Sequence, residues 1–164
     1  MVTVSNTSPL SNLALIGRLD ILRALFGEVT IPPAVATELS RLPDDHAREA
    51  LLAAQSVGGW LRVRAPSEDR IVMALELSLD AGEAAAIALA TEFPEATVLI
   101  DERKGRRAAL KLGLSVIGIV GILLKAKKRG LIPSVRKDLL RLKTEAGFFI
   151  SDALVQEAAR LAGE

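Results

Sequence analysis

Short runs rich in Val, Ile and Thr alternate along the chain with longer stretches of helical period, the pattern of a parallel sheet joined by crossover helices. Residues 2–6 (VTVSN), 29–31 (VTI), 97–101 (TVLID) and 115–119 (SVIGI) read as strands, and 61–65 (LRVRA) as a strand or extended link. Between them the apolar spacing predicts helices over 9–16 and 18–26, parted at Gly17. A further helix starts at Pro32–Pro33, where a missing donor is harmless, and runs to about Arg41. Asp44 or Asp45 caps the next, to about Gln55, and Gly58–Gly59 breaks the chain. Helices follow over 67–78, 80–92, about 102–112 and from the fifth strand to about Arg129. Two more close the sequence, over 134–145 and 151–162, the last opening on Ser151.

This pattern predicts an α/β fold, a single domain over 1–164 with a core of about 1–133 and a helical extension of about 134–164. The most apolar stretch, around 114–124, falls short of the ~20 residues that span a bilayer, so no membrane partner is expected. A strand-like start at the N-terminus leaves no room for a signal peptide, and a cytoplasmic location is the expectation. In the tail, Leu139, Leu140 and Leu142 form an apolar stripe, and Phe148, Phe149 and Ile150 an apolar run. Core packing is expected of both, over an interface with a second copy or a partner protein.

Composition narrows the chemistry. There is no cysteine, and His46 is the only histidine, set among Asp44, Asp45 and Arg48. Thiolate metal sites, cysteine nucleophiles and Ser-His-Asp triads therefore drop out, and any metal needs oxygen ligands, hence Mg²⁺ or Mn²⁺ rather than Zn²⁺. Aromatic residues are 3% of the chain, which argues against base stacking across a sheet face. No phosphate-loop glycine pattern occurs. Charge is sharply uneven: residues 1–102 hold 7 basic and 15 acidic side chains, whereas 103–143 hold 13 basic ones and only Asp138. One half supplies carboxylates and the next supplies cations, as an enzyme acting on a polyanion requires.

Four residues fall where strands end or helices begin. Asn6 ends the first strand, Asp101 ends the fourth, Glu38 follows the second, and Glu83 sits in the first turn after Asp80. Open parallel sheets bind ligands beyond the carboxyl ends of their strands, so crossover topology is expected to bring all four to one edge. Ordinary explanations exist for each. Asp80 and Glu83 match a capping box, Asp101 and Glu102 suit a helix N-terminus, Glu38 suits a solvated helix face, and Asn6 with Ser8 suits a turn and cap. The basic cluster beyond residue 102 equally suits a solvated face.

In order, VSNTSPL, IPPAVATEL, GEAAAIALA, LIDERKGRRAALKLG and GIVGILLKAKKRGLIP resemble the PIN-domain superfamily, and within it a subgroup marked by NTSPL, GEAxAIALA and LIDE. The resemblance implies a three-layer α/β/α sandwich with a mainly parallel sheet. It also implies an endoribonuclease using Mg²⁺ or Mn²⁺, akin to the VapC-type toxins that dimerise and are held by an antitoxin. The family's acids fall on Asn6, Glu38, Glu83 and Asp101, as catalytic and metal-binding positions, with Ser8 and Glu102 as helpers. Arg103, Lys104, Arg106 and Arg107 would hold a single-stranded RNA. Asn6 departs from the usual Asp, removing one charge from the cation's surroundings. Two readings of function follow, a metal-dependent endoribonuclease or a PIN-like module that binds RNA or protein without cleaving. A phosphatase with an aspartyl nucleophile would need D-x-D after the first strand, where the chain has N-T-S.

Overall fold

The computed structural model describes residues 1–164. Five short strands form one all-parallel sheet: β1 (Thr3–Ser5), β2 (Val29–Ile31), β3 (Leu61–Val63), β4 (Thr97–Leu99) and β5 (Ser115–Ile117). Their spatial order is β3-β2-β1-β4-β5. β1 thus lies at the centre, pairing Val4 with Thr30 on one side and with Val98 on the other. From β1 the chain winds outward through β2 and β3, then returns to lay β4 on β1's opposite edge. The carboxyl ends of β1 and β4 therefore bound the point where strand order reverses, the place where open α/β sheets take ligands. A bond from the Asn6 N–H to the Leu99 carbonyl, 3.0 Å, ties the two ends together.

Strand side chains alternate between faces, and the cores follow that alternation. Leu99 joins Val29, Ile31 and Leu61 in the larger core, whereas Val98 and Ile100 join Val4 in the smaller. The larger core receives α1 (Thr7–Leu15), α2 (Asp20–Phe26), α3 (Pro33–Ser40), α4 (Asp45–Ala54) and α8 (Ile119–Lys128). It also receives Val135, Leu139, Leu142, Val155 and Ala158 from α9 (Val135–Glu145) and α10 (Asp152–Leu161). The smaller core is built on α6 (Ala81–Thr91), with α5 (Asp69–Glu76) and α7 (Arg103–Lys111) beside it. The result is the three-layer α/β/α arrangement that the resemblance implies, with the parallel sheet that the sequence pattern predicts. No helix is long and apolar enough to cross a membrane.

Local chemistry sets the element ends. Asp44, Asp80, Ser134 and Ser151 each accept the backbone N–H three residues on, capping α4, α6, α9 and α10. Helix α1 begins at Thr7 rather than at Pro9, because a proline in the first turn forfeits no bond. Helix α5 begins at Asp69 rather than Ser67, whose N–H is held instead by the Glu92 carboxylate at 2.5 Å. The tail is fastened to the body by Arg18, which bonds the buried Asp138 carboxylate at 2.9 Å and 3.3 Å.

Candidate metal and nucleic-acid site

Helix α6 carries the first part of the site. Residues 82–90 of this helix are all buried, and its run of alanines lets β1, α3 and α7 approach closely. A helix enclosed on every side has no solvent face for a carboxylate, so Glu83 is only 4% exposed. Asp80 caps the helix by accepting the Glu83 N–H at 2.8 Å. A full capping box would have Glu83 reach back to Asp80. It does not, and Glu83 Oε1 is buried without a partner. The cap explains Asp80 and leaves Glu83 unexplained by helix chemistry.

Asn6 and Glu38 meet beside it. Asn6, 5% exposed, stands at the N-cap of α1 yet makes no side-chain cap bond. Glu38, on α3, is oriented by the Thr7 hydroxyl, which donates to Oε2 at 2.5 Å. A Cβ added at Gly82 would meet Glu38 Oε1 at 2.5 Å and Asn6 Oδ1 at 3.4 Å, so both oxygens crowd the bare backbone at the start of α6. Glycine at 105 does the same for Glu83, whose Oε1 would lie 3.3 Å from a Cβ there. Burial first, and then the charge of Asp80, raise the Glu83 pKa to about 7, with Glu102 and Glu38 adding to the rise. A carboxylate raised by burial and by like charges is one that a bound cation would stabilise in its charged form.

Asp101 and Glu102 form a second part. Asp101 follows β4 and accepts the Ile119 N–H at 2.8 Å, capping α8 rather than the helix it precedes. Its Oδ2 is buried and unpartnered. Burial raises its pKa, against the lowering effects of the Ile119 bond and the Arg106 guanidinium. Glu102 is exposed and raises both Glu83 and Asp101 by its charge, so it stands electrostatically between the two parts.

No three Asp, Glu or His side chains stand close enough to hold a metal ion among themselves. What gathers at the start of α6 is two carboxylates and an amide. Mg²⁺ keeps several waters and takes one or two protein carboxylates with substrate oxygens, so Glu83, Glu38 and Asn6 fit a hard divalent cation; the orphaned Glu83 oxygen is the observation that says so.

A cavity of about 860 Å³ opens beside Asp101 and Glu102. Ser8 lines it, accepting from Asn12 Nδ2 at 3.0 Å, as do Arg103 and Arg106. A second cavity, about 390 Å³, shares Asp101, Arg103 and Arg106 and adds Arg107. Three of the four expected basic residues therefore line cavities at the acids, while Lys104 is exposed and lines neither. His46 is exposed and lies in a different cavity, with Trp60. Sequence reasoning missed Thr7, Asn12 and the glycines at 82 and 118. Of these only Gly82 stands next to one of the acids in the chain, beside Glu83.

A family model, DUF3368, described as a PIN domain, matches residues 2–164. No curated protein matches the chain.

Proposed function

The chain belongs to the PIN-domain family, and from that premise we propose that it is a divalent-metal-dependent endoribonuclease acting on single-stranded RNA. PIN domains generally use divalent ions and act as nuclease-type modules on nucleic acid. The single observation that carries the proposal is the buried, unpartnered Glu83 Oε1, on the helix whose first turn the Glu38 and Asn6 oxygens crowd at Gly82.

Glu83 and Glu38 would hold Mg²⁺ or Mn²⁺, with Asn6 as neutral ligand or positioner of its water. Such an ion, when bound, polarises a phosphodiester and makes a bound water acidic enough to attack. The chain's own residues do the rest. Asp101, with Oδ2 free and its pKa raised, takes the proton from the attacking water. Arg103, Arg106 and Arg107 draw the phosphates to the cavities at that end of the sheet. Ser8 and Glu102 orient waters at the rim. The toxin of a toxin–antitoxin pair, dimeric and cytoplasmic, is the biological role that the family resemblance supports.

Asn6 favours a second reading, a binding module whose catalysis has lapsed, because one charge is missing from the cation's surroundings. Cleavage of an unstructured RNA with Mn²⁺, comparing wild type with Glu83→Gln, tests the first reading. Metal-dependent cleavage lost in the variant supports it. Full-rate cleavage by the variant, or none by wild type at any metal concentration, refutes it.

A further inference from the structure

The turn between α9 and α10 lines the larger cavity, where Gly147, Phe148, Phe149 and Ile150 share the lining with Arg103 and Arg106. This turn is fixed rather than loose. Gly147 takes φ +67°, a left-handed conformation that ends α9 and that glycine adopts without strain. The Phe148 N–H then donates to the Leu142 carbonyl at 3.0 Å, and Phe148 packs on the larger core. Ile150 is 3% exposed, and Ser151 caps α10 by accepting the Leu154 N–H. With its two neighbours held inward, Phe149 is directed out, and it is 94% exposed.

An outward ring held by a pinned backbone, in a chain with only four phenylalanines and one tryptophan, calls for a ligand with a flat face. The arginines of the lining specify its charge. Arg103 is exposed, and Arg106 is anchored to the Ile100 carbonyl at 3.2 Å through Nη1, leaving its other donors free. The second cavity extends this basic side to Arg107. Asp101 and Glu102 share the lining and repel phosphate, which leaves the arginines as the groups that hold it. Glycines at 118 and 121 keep the floor low; a Cβ at Gly118 would strike Arg106 Nη1 at 2.6 Å.

We propose that Phe149 is a base-stacking residue, which receives one unpaired base of a single-stranded nucleic acid while Arg103 and Arg106 bind the flanking phosphates. Aromatic faces take any base, and alanine substitution at such positions weakens binding about tenfold or more. The role rests on the nucleic-acid reading of the site but not on cleavage. It also places the single aromatic contact on a loop of the tail, where a sheet-face comparison would not look.

The test is binding without metal, in EDTA, of a fluorescein-labelled A/C-alternating RNA dodecamer and of an abasic dodecamer with the same phosphates. Phe149→Ala is expected to weaken the first about tenfold and leave the second unchanged, and Phe149→Trp to restore binding with its emission quenched. Arg103→Ala is expected to weaken both alike. Equal effects of Phe149→Ala on the two probes, no effect on either, or no wild-type binding would each overturn the proposal. So would a change of sedimenting mass in Phe149→Ala, which would make the ring a contact between copies. Wild type that binds the dodecamer yet never cleaves RNA with Mn²⁺ leaves the stacking role standing and removes only the nuclease reading.

Discussion

Asp101 caps helix α8 through the Ile119 N–H at 2.8 Å, eighteen positions further along the chain, while its second oxygen stays free. One carboxylate thus serves both the frame and the chemistry, and a single substitution confuses the two. Asp101→Ala removes the cap and is expected to cost about 1 kcal/mol as well as cleavage. Asp101→Asn keeps an acceptor oxygen for Ile119, so it is expected to unfold at the wild-type urea midpoint yet cleave at least a hundredfold more slowly, in line with losing a general base. Urea titrations run beside cleavage assays separate these outcomes.

Glu83 makes the metal-free protein sensitive to pH. Its carboxyl titrates at about 7 when folded and near its ordinary value of 4.5 when unfolded. The folded state holds the proton more tightly, so its contribution to stability is complete below the unfolded value and is lost as pH rises through about 7. In EDTA the melting temperature is expected to fall between pH 4 and pH 8, a span that brackets both values. Glu83→Gln is expected to flatten that decline, and Mn²⁺ to reverse it in wild type only. Differential scanning fluorimetry across pH, with and without metal, measures all three.

Space at residue 82 is the next handle. The glycine there lies in the first turn of α6 with ordinary helical backbone, so alanine suits the helix better by up to about 1 kcal/mol. Its Cβ would nevertheless arrive 2.5 Å from Glu38 Oε1, forcing that flexible side chain aside. Gly82→Ala is expected to melt at or above wild type while binding Mn²⁺ about tenfold more weakly, since a displaced carboxylate no longer serves the cation. Calorimetric titration of Mn²⁺ alongside a melting curve checks the pair of effects.

Asn6→Asp adds a charge next to Glu38 and Glu83. Mn²⁺ binding is expected to tighten about tenfold, the residue of a larger Coulomb gain after desolvation. Without metal the same substitution is expected to lower the melting temperature, because it buries a carboxylate near Glu38, which is exposed, and Glu83, which is buried. The cleavage rate then distinguishes the two functional readings: a modest change means the wild type was already active, whereas activity arising only in the variant means the binding-module reading holds.

Much of the architecture was legible because period and punctuation agreed along the chain. TVLID at 97–101 could only be a buried strand, and Gly113, Gly130 and Pro133 stopped helices where the structure stops them. The places of Asn6 and Asp101 at strand ends and of Glu83 in a first helical turn were also legible, since these are local signals, and Glu38 falls on the helix after β2 as read; that the four serve one site is a proposal. What stayed hidden was how these four divide. Nothing in sequence spacing says that Asp101 turns toward Ile119, or that Asp80 caps α6 without reciprocation from Glu83, because both follow from side-chain direction in the packed state. Likewise the run at 148–150 read as one apolar patch; Ile150 is buried and Phe148 half-buried, and only Phe149 escapes core packing.

The central position of β1 has a consequence for the timing of synthesis. This strand leaves the ribosome before the other four, yet it is flanked on both sides only after residue 99 has emerged, since β4 is its second neighbour. A nascent or truncated chain carries Asn6, Glu38 and Glu83 without the frame that gathers them, and contacts so distant in sequence form late. A chain cut before β4 lacks the bond that ties Asn6 to Leu99, so the end of β1 is held on both sides only when the last inner strand slots into place.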